Sequence, residues 1–230
     1  MSNYNWAFDF LPNIPTTKDF VLDVGAFDLM DARTLVEKFD ANVIAFEADP
    51  DNLAESLTNL KLMPSSVRAK IKVVGKFLGE KNETIDFFAI DSRFYNNKQA
   101  SSKYQLDFSK RPKSDPDHGL SNVQKRVQVE SIRYDSLGLP APHSIFMDVQ
   151  GSELEVLRGI GEELNAVQNV VLETSFRSNY MGSSNFSEIH QHLTNHGFSY
   201  IRSSRYKSRL PLKFLSRKKF DFDVLYSRIN

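Results

Sequence analysis

The chain has 230 residues, of which 40% are hydrophobic and 25% are charged. This length and composition predict one folded domain with a sizeable core and exclude an intrinsically disordered protein. Its 29 basic and 29 acidic residues give a formal net charge of zero, so no global charge draws it to nucleic acid or to a membrane. The absence of cysteine excludes disulfides, thiolate metal sites and a cysteine nucleophile.

Residues 1–19 are predicted to be an N-terminal extension that precedes the first strand. This stretch lacks the basic start and apolar run of a signal peptide, and no segment reaches the ~20 apolar residues of a membrane span. We therefore expect a cytoplasmic protein without a membrane partner.

The next part of the chain alternates short apolar runs with helix-like segments. The apolar runs predict strands at residues 20–25, 42–47 and 70–77. Amphipathic spacing predicts helices at residues 30–39 and from 50 to about 60. Strands that alternate with helices are typical of a parallel sheet covered on both faces.

A region of different character follows at residues 84–132. It contains predicted strands at 84–90 and 127–132, and the polar stretch 96–125 between them has no regular period. A loop of this length inside a compact domain is usually functional or disordered. We interpret residues 84–132 as an insertion between the third and fourth core strands.

Regular alternation returns in the last part of the chain. Strands are predicted at 144–149, 169–174, 198–202 and 222–226, and helices at 152–160 and 186–196. No helix separates the last two strands, so we expect a hairpin with one antiparallel strand at or near the sheet edge. The predicted fold class is α/β, with a mostly parallel sheet and one domain over residues 1–230.

In an open α/β sheet, ligands bind outside the carboxyl ends of the strands. Gly25 follows the first predicted strand, where a glycine lets the backbone approach a ligand closely. Glu47 ends the next strand, where a carboxylate can accept both ribose hydroxyls of an adenosine. Asp148 and Glu173 end the fourth and fifth core strands. This pattern predicts a nucleotide-like cofactor.

The first loop, GAFDLMDA at residues 25–32, indicates which cofactor. It has a single glycine, and Asp28 and Asp31 would repel a diphosphate bound at the helix start. The same acids suit a ligand that carries an ammonium and a sulfonium. S-adenosylmethionine has both groups and no phosphate, so these residues favour a methyl donor over NAD.

The chain resembles the FkbM family of S-adenosylmethionine-dependent methyltransferases over roughly residues 20 to 228. The most specific match is IFMDVQGSELEVLRGIGEEL, residues 145–164, and VLDVGAFDLMD with VIAFEADP matches the cofactor half. VVLETSF, FSEIHQHLTNHGFSYI, FDVLYSR and the ASSKY element at 100–104 also fit. The first loop departs from the pattern, because many relatives have Asn and Gly where this chain has Phe27 and Leu29.

The resemblance implies a Rossmann-like class I methyltransferase fold with a seven-stranded sheet, and usually methyl transfer to a hydroxyl of a sugar or natural product. By position, the first loop would line the methionine, Glu47 would hold the ribose, and Phe77 with Leu78 would border the adenine. The predicted cofactor-binding residues are Asp23, Gly25, Ala26, Phe27, Glu47, Ala48, Asp49, Phe77, Leu78, Ser102, Asp148, Val149 and Gln150.

Three residues are candidates for catalysis. Asp148 is the predicted base or orienting group, Glu173 would bind the acceptor, and His118 could act as a base after closure of the long loop. The alternatives are that Asp148 caps a helix, Glu173 is a buried hydrogen-bonded acid and His118 is solvated. No metal site is predicted, since His192 and His196 share a helix face without a carboxylate to complete a motif.

The acceptor is expected to be a saccharide or another small hydroxylated molecule. Residues 202–219 contain eight Lys or Arg and no acid, which makes an anionic acceptor an alternative. One rival function is an RNA ribose 2′-O-methyltransferase, which needs lysines in the site, and Lys18 and Lys76 are candidates. The other rival is a non-enzymatic binding protein, which the bulky first loop favours.

Overall fold

A computed structural model describes residues 4–111, 113–204 and 221–229. The strands are β1 (Phe20–Val24), β2 (Asn42–Phe46), β3 (Ile71–Val74), β4 (Phe77–Leu78), β5 (Glu83–Ile90), β6 (Gln124–Ile132), β7 (Ser144–Met147), β8 (Asn169–Ser175), β9 (Ser199–Ser203) and β10 (Asp221–Ser227). The helices are α1 (Asn5–Phe8), α2 (Met30–Phe39), α3 (Pro50–Leu62), α4 (Ser65–Arg68), α5 (Glu153–Ile160) and α6 (Phe186–Asn195).

The main sheet has seven strands in the order β3-β2-β1-β7-β8-β10-β9. The first five of these are parallel to one another, and β10 is antiparallel to both β8 and β9. This arrangement confirms the α/β fold class with an antiparallel strand near the edge. The strand order reverses between β1 and β7, which is the switch point where open α/β sheets bind their ligands.

The two faces of the sheet bury separate apolar layers. In β1, Leu22 packs with residues of α5 and α6, whereas its neighbour Val21 packs with residues of α1 and α2. The N-terminal extension belongs to the second layer, where the rings of Tyr4 and Phe8 lie 5.2 and 5.9 Å from that of Phe146. Residues before the first strand therefore contribute to the core.

The prediction of a third strand over residues 70–77 is wrong at its C-terminal end. The sheet strand stops at Val74, and Phe77–Leu78 leaves the main sheet to pair in parallel with β6. The chain turns at Gly75, where an added Cβ would lie only 2.4 Å from Leu53 Cδ2. The backbone therefore packs closely against α3 at this turn, and the apolar run continues into a second sheet.

The second sheet has three strands in the order β4-β6-β5. Strands β5 and β6 pair antiparallel over their whole shared length. The polar stretch between them is held to the rest of the domain by two isolated bridges, Phe88 with Ser102 and Leu106 with Tyr180. Nowhere in the described part of the chain is a helix both long and apolar enough to cross a membrane.

Candidate active site

A cleft of about 710 Å³ lies at the switch point, between the carboxyl ends of β1, β2 and β7 and the second sheet. We call it the cofactor cleft. Its lining consists of Val24, Gly25, Ala26, Phe27, Asp28, Asp31, Phe46, Glu47, Ala48, Asn52, Lys76, Phe77, Leu78, Phe87, Gln99, Ser101, Asp148 and Val149.

Gly25 sets the shape of the first loop. Its φ of +83° is in the left-handed region, and a Cβ at this position would lie 2.0 Å from the carbonyl oxygen of Asp148. The backbone N–H groups of Gly25 and Ala26 both donate to the Phe46 carbonyl, at 2.9 and 3.0 Å. Only glycine allows β1, β2 and β7 to come this close at their ends.

Phe27 and Leu29 also have left-handed backbones, with φ of 44° and 65°. Such a conformation costs a non-glycine residue roughly 1–2 kcal/mol. Surrounding contacts offset this cost: Phe27 N donates to Glu47 at 2.8 Å, its carbonyl accepts from Ser56, and Leu29 is fully buried. Phe27 and Leu29 therefore keep their left-handed backbone conformation although their side chains are bulky, and the cofactor cleft stays open.

Glu47 is buried at the end of β2, 6% exposed. Its carboxylate accepts hydrogen bonds from the backbone N–H groups of Phe27, at 2.8 Å, and Asp49, at 2.7 Å. Burial raises the pKa of Glu47 to about 7 despite these bonds. The carboxylate therefore joins the first and second loops, and a further hydrogen-bond donor in the cleft would favour its ionised form.

Acidic groups surround the part of the cleft next to the first loop. Asp28, Asp31 and Asp148 line it, and Asp23 is buried beneath. Burial, together with Asp31, raises the pKa of Asp23 well above its usual range, and its Oδ2 has no hydrogen-bond partner among the described residues. The acidic lining formed by Asp28, Asp31 and Asp148 fits the ammonium and sulfonium of S-adenosylmethionine and does not fit a diphosphate.

Asp148 and Glu173 form a hydrogen-bonded carboxyl pair. Gln150 Nε2 donates to Asp148 Oδ1 and, at 2.9 Å, to Glu173 Oε2, and the two carboxyl groups hydrogen-bond each other. Burial raises the pKa of Asp148 to about 6, while the Asp148 charge raises the pKa of Glu173 well above its usual range. At neutral pH, Asp148 is therefore the ionised member and Glu173 holds the proton.

The turn that follows Asp148 is held by Glu153, which is buried at the start of α5. Gln150 and Gly151 both have left-handed backbones, with φ of 53° and 102°. The Glu153 carboxylate accepts from Gly151 N at 3.0 Å and from Val149 N. These bonds hold the Asp148 turn in an otherwise unfavourable conformation.

A second, polar cavity adjoins the cofactor cleft. We call it the polar cavity. Its lining consists of Tyr4, Asn97, Gln99, Ala100, Leu106, Arg111, Asp148, Gln150, Glu173, Asn179, Tyr180, Asp221 and Asp223. Among the described residues of this lining, Arg111 is the one cation, and its guanidinium pairs with Asp115 and Asp117 at 3.4 and 2.8 Å. Amide, hydroxyl and carboxyl groups dominate this cavity.

Most of the predicted cofactor residues line the cofactor cleft, but four lie elsewhere. Asp49 caps α3 by accepting from Asp51 N and Asn52 N, and Asp23 accepts from Ala32 N. Gln150 lines the polar cavity instead. Ser102 is buried and donates to the Gln150 carbonyl at 2.8 Å, while its neighbour Ser101 lines the cleft.

Of the other sequence candidates, Lys18 and His118 line neither cavity. His118 is half-buried on the long loop, and its Nδ1 lies 2.8 Å from the Arg111 carbonyl oxygen. Lys76 lines the cleft but pairs with Glu130 at 2.6 Å. The described residues include no group of three His, Asp or Glu arranged to hold a metal ion.

The basic segment 202–219 falls almost entirely outside the described residues. Arg202 is described, and its guanidinium stacks over the Phe10 ring at 3.9 Å.

Several site residues escaped the sequence analysis because they come from distant segments. Phe87 lies on β5, whereas Gln99 and Ser101 lie in the polar stretch after it. Tyr4 reaches the polar cavity from the N-terminal extension, and burial with the nearby charges of Asp148 and Asp23 raises its pKa. The only sequence signal was the Ser-Ser element at 101–102, which identified the segment; Ser101 of this element lines the cleft, whereas the predicted Ser102 is buried beside it.

Replacing Gly25 with Ala is expected to destabilise the protein by more than about 3 kcal/mol, because a Cβ there would meet both backbone strain and the Asp148 carbonyl. Gly119 is a matched control, since its φ is +79° and nothing lies within 4 Å of an added Cβ. Gly119→Ala should cost only the left-handed strain, about 1–2 kcal/mol. Denaturant unfolding measures both, and equal losses would contradict the close approach at Gly25.

Comparison with known proteins identifies the family of this chain. Residues 23–200 match the model of the methyltransferase FkbM domain. The 2-O-methyltransferase NoeI of Sinorhizobium fredii (strain NBRC 101917 / NGR234) is 27% identical over 172 residues, which is 70% of this chain and 65% of that protein. The chain thus spans less than two thirds of the length of this curated relative.

Solved structures agree on the fold. The FkbM methyltransferase of Methylobacillus flagellatus KT superposes with a TM-score of 0.58 at 14% identity, over 94% of this chain and 45% of that one. The magnesium protoporphyrin IX methyltransferase of Synechocystis PCC 6803, solved with bound S-adenosylmethionine, gives 0.51 at 10% identity, over 98% of this chain and 77% of that one. The family match over residues 23–200 therefore shows that the chain belongs to the FkbM domain family of S-adenosylmethionine-dependent methyltransferases.

Proposed function

We propose that the chain transfers the methyl group of S-adenosylmethionine to a hydroxyl of an uncharged saccharide or similar polyol. The observation that carries this proposal is the position of Asp148, which lines both the cofactor cleft and the polar cavity and is paired with a neutral Glu173. An ionisable carboxylate between a methyl donor and a hydroxylated acceptor is placed to act as a general base.

The cofactor would lie along the cleft, with each part matched by the residues present. Glu47 would accept the ribose hydroxyls, and the acidic first loop would face the ammonium and sulfonium. The apolar residues Phe77 and Leu78, both buried, would border the adenine. The bound cofactor supplies an electrophilic methyl group on a positively charged sulfur.

The residues of the polar cavity would bind the acceptor and remove its proton. Asp148 accepts the hydroxyl proton as the new carbon–oxygen bond forms and the carbon–sulfur bond breaks. Protonated Glu173 and the Gln150 amide hold the Asp148 carboxylate by hydrogen bonds, so the base is oriented before the acceptor arrives. The proton then returns to solvent when the product leaves.

The chemistry of the polar cavity supports an uncharged acceptor. Asp148, Asp221 and Asp223 line it beside the neutral Glu173, and a negatively charged acceptor would meet these three carboxylates at close range. Carboxyl, amide and tyrosine groups are suited to hydrogen-bond several hydroxyls at once. The relative NoeI is named a 2-O-methyltransferase, which supports oxygen as the methylated atom.

Transfer of a tritium-labelled methyl group from S-adenosylmethionine tests the proposal. The probes are methyl glycosides of common hexoses and deoxyhexoses, the same sugars as phosphates, and a short RNA oligonucleotide. We expect base-stable label in at least one uncharged glycoside. Preferential label in RNA would support the ribose 2′-O-methyltransferase alternative. Binding of S-adenosylhomocysteine without transfer to any probe would contradict the proposed function and favour a non-enzymatic role.

A further inference from the structure

The cofactor cleft and the polar cavity meet along a short boundary. Among the described residues, only Asp148 and Gln99 line both. Direct methyl transfer requires the acceptor oxygen to approach the methyl carbon in line with the sulfur. Under the proposed function, the reaction therefore takes place between these two residues, one at the end of β7 and the other in the inserted segment.

The backbone of Gln99 is anchored on both sides. It lies in the 3-10 turn Lys98–Ala100, whose first carbonyl accepts from Asn52 Nδ2 at 3.2 Å. The Ala100 carbonyl, on the other side, lies 3.1 Å from the Tyr180 hydroxyl, and Ala100 itself is buried. These contacts join the turn to α3 and to the loop after β8, so the turn bridges the two halves of the site.

The Gln99 side chain is exposed and forms no hydrogen bond with another described residue. A carboxamide has two N–H donors and one acceptor oxygen, and it stays neutral across the pH range. It can therefore bind a hydroxyl without competing with Asp148 for the proton and without opposing the positive sulfur.

We propose that Gln99 is an acceptor-binding residue that orients the reacting hydroxyl. Asp148 accepts the hydroxyl hydrogen, and Gln99 Nε2 donates to a lone pair of the same oxygen. The remaining lone pair then points at the methyl carbon. This inference rests on the proposed function and adds a residue that neither the family match nor the sequence motifs identified.

The test compares Gln99→Ala with Gln105→Ala, using the uncharged glycoside that the wild type methylates. Gln105 is a matched control, because it is an exposed glutamine of the same inserted segment whose side chain lies outside both cavities. Gln99→Ala should lower kcat/KM by about 10-fold to 100-fold, as loss of orientation predicts. It should also weaken calorimetric binding of the glycoside to the S-adenosylhomocysteine complex, while S-adenosylhomocysteine affinity itself stays within about twofold. Gln105→Ala should change none of these.

Gln99→Glu separates direct contact from a purely structural role. A carboxylate at this position would face Asp148 across the reacting oxygen and raise the pKa of its carboxyl, so the acid limb of kcat/KM should move to higher pH. An unchanged kcat/KM in Gln99→Ala, or an unshifted acid limb in an otherwise impaired Gln99→Glu, would overturn the inference and leave the proposed function standing. No methyl transfer by the wild type to any glycoside would overturn both.

Discussion

Asp148→Asn is expected to lower kcat/KM for the methylated glycoside by about 10²- to 10⁴-fold, the usual contribution of a general base. Asparagine keeps the size of the side chain and its hydrogen bond to Gln150 but cannot accept the hydroxyl proton. Because S-adenosylhomocysteine carries no charge on sulfur, its affinity should change by no more than about threefold. Steady-state kinetics with calorimetric titration separates the two effects.

Glu173→Gln is the matched variant for this pair. The charge of Asp148 keeps the pKa of Glu173 well above its usual range, so Glu173 is already neutral at pH 7 and glutamine reproduces its donor. Its kcat/KM should therefore stay within about tenfold of the wild type. Equal losses of kcat/KM in Asp148→Asn and Glu173→Gln would mean that both residues support the fold and that neither removes the proton.

The pH profile gives an independent check on Asp148. Burial sets its pKa at about 6, and only the ionised form can accept a proton. Activity should therefore be full above about pH 7 and fall as pH drops through 6. The apparent pKa of this fall belongs to the coupled pair of Asp148 and Glu173. A profile without an acid limb near this pH would contradict the role of Asp148 as the base.

Glu47→Gln is expected to weaken S-adenosylhomocysteine binding by about 1.5–3 kcal/mol, the value of hydrogen bonds to a charged acceptor. The buried carboxylate lies at the end of β2 in the cofactor cleft, where it would accept the ribose hydroxyls. Glu37→Gln is the control, since Glu37 is an exposed residue of α2 that pairs with Arg33. Calorimetric titration measures both variants, and thermal melting verifies that Glu47→Gln stays folded.

The same carboxylate makes cofactor binding depend on pH. Burial raises the pKa of Glu47 to about 7 in the free protein, and ribose hydroxyls favour the ionised form. Binding therefore releases a proton, and affinity should strengthen by up to about tenfold per pH unit below pH 7 and level off above it. The dependence should flatten in Glu47→Gln. A wild-type affinity that is constant between pH 6 and 8 would count against Glu47 as the ribose ligand.

The sequence predicted the fold well where structure is local. Apolar runs and helical periods located the core strands within a few residues, because the hydrophobic pattern along a buried strand is a property of that segment alone. The exception was the third strand, where the apolar run continues past the turn at Gly75. At that turn the backbone packs closely against Leu53 of another element, a contact that no pattern within the strand can indicate.

Sequence by itself also determined which carboxylates stand at strand ends. Glu47 and Asp148 follow apolar runs, and the parallel topology brings those ends to one edge. Tertiary structure alone decided their chemistry. The pairing of Asp148 with Glu173, the pKa values set by burial, and the arrival of Tyr4 and Gln99 at the polar cavity all arise from contacts between segments far apart in the chain. The strand pattern encodes which face is buried, whereas long-range packing determines which groups share a cavity and which of them keeps its proton.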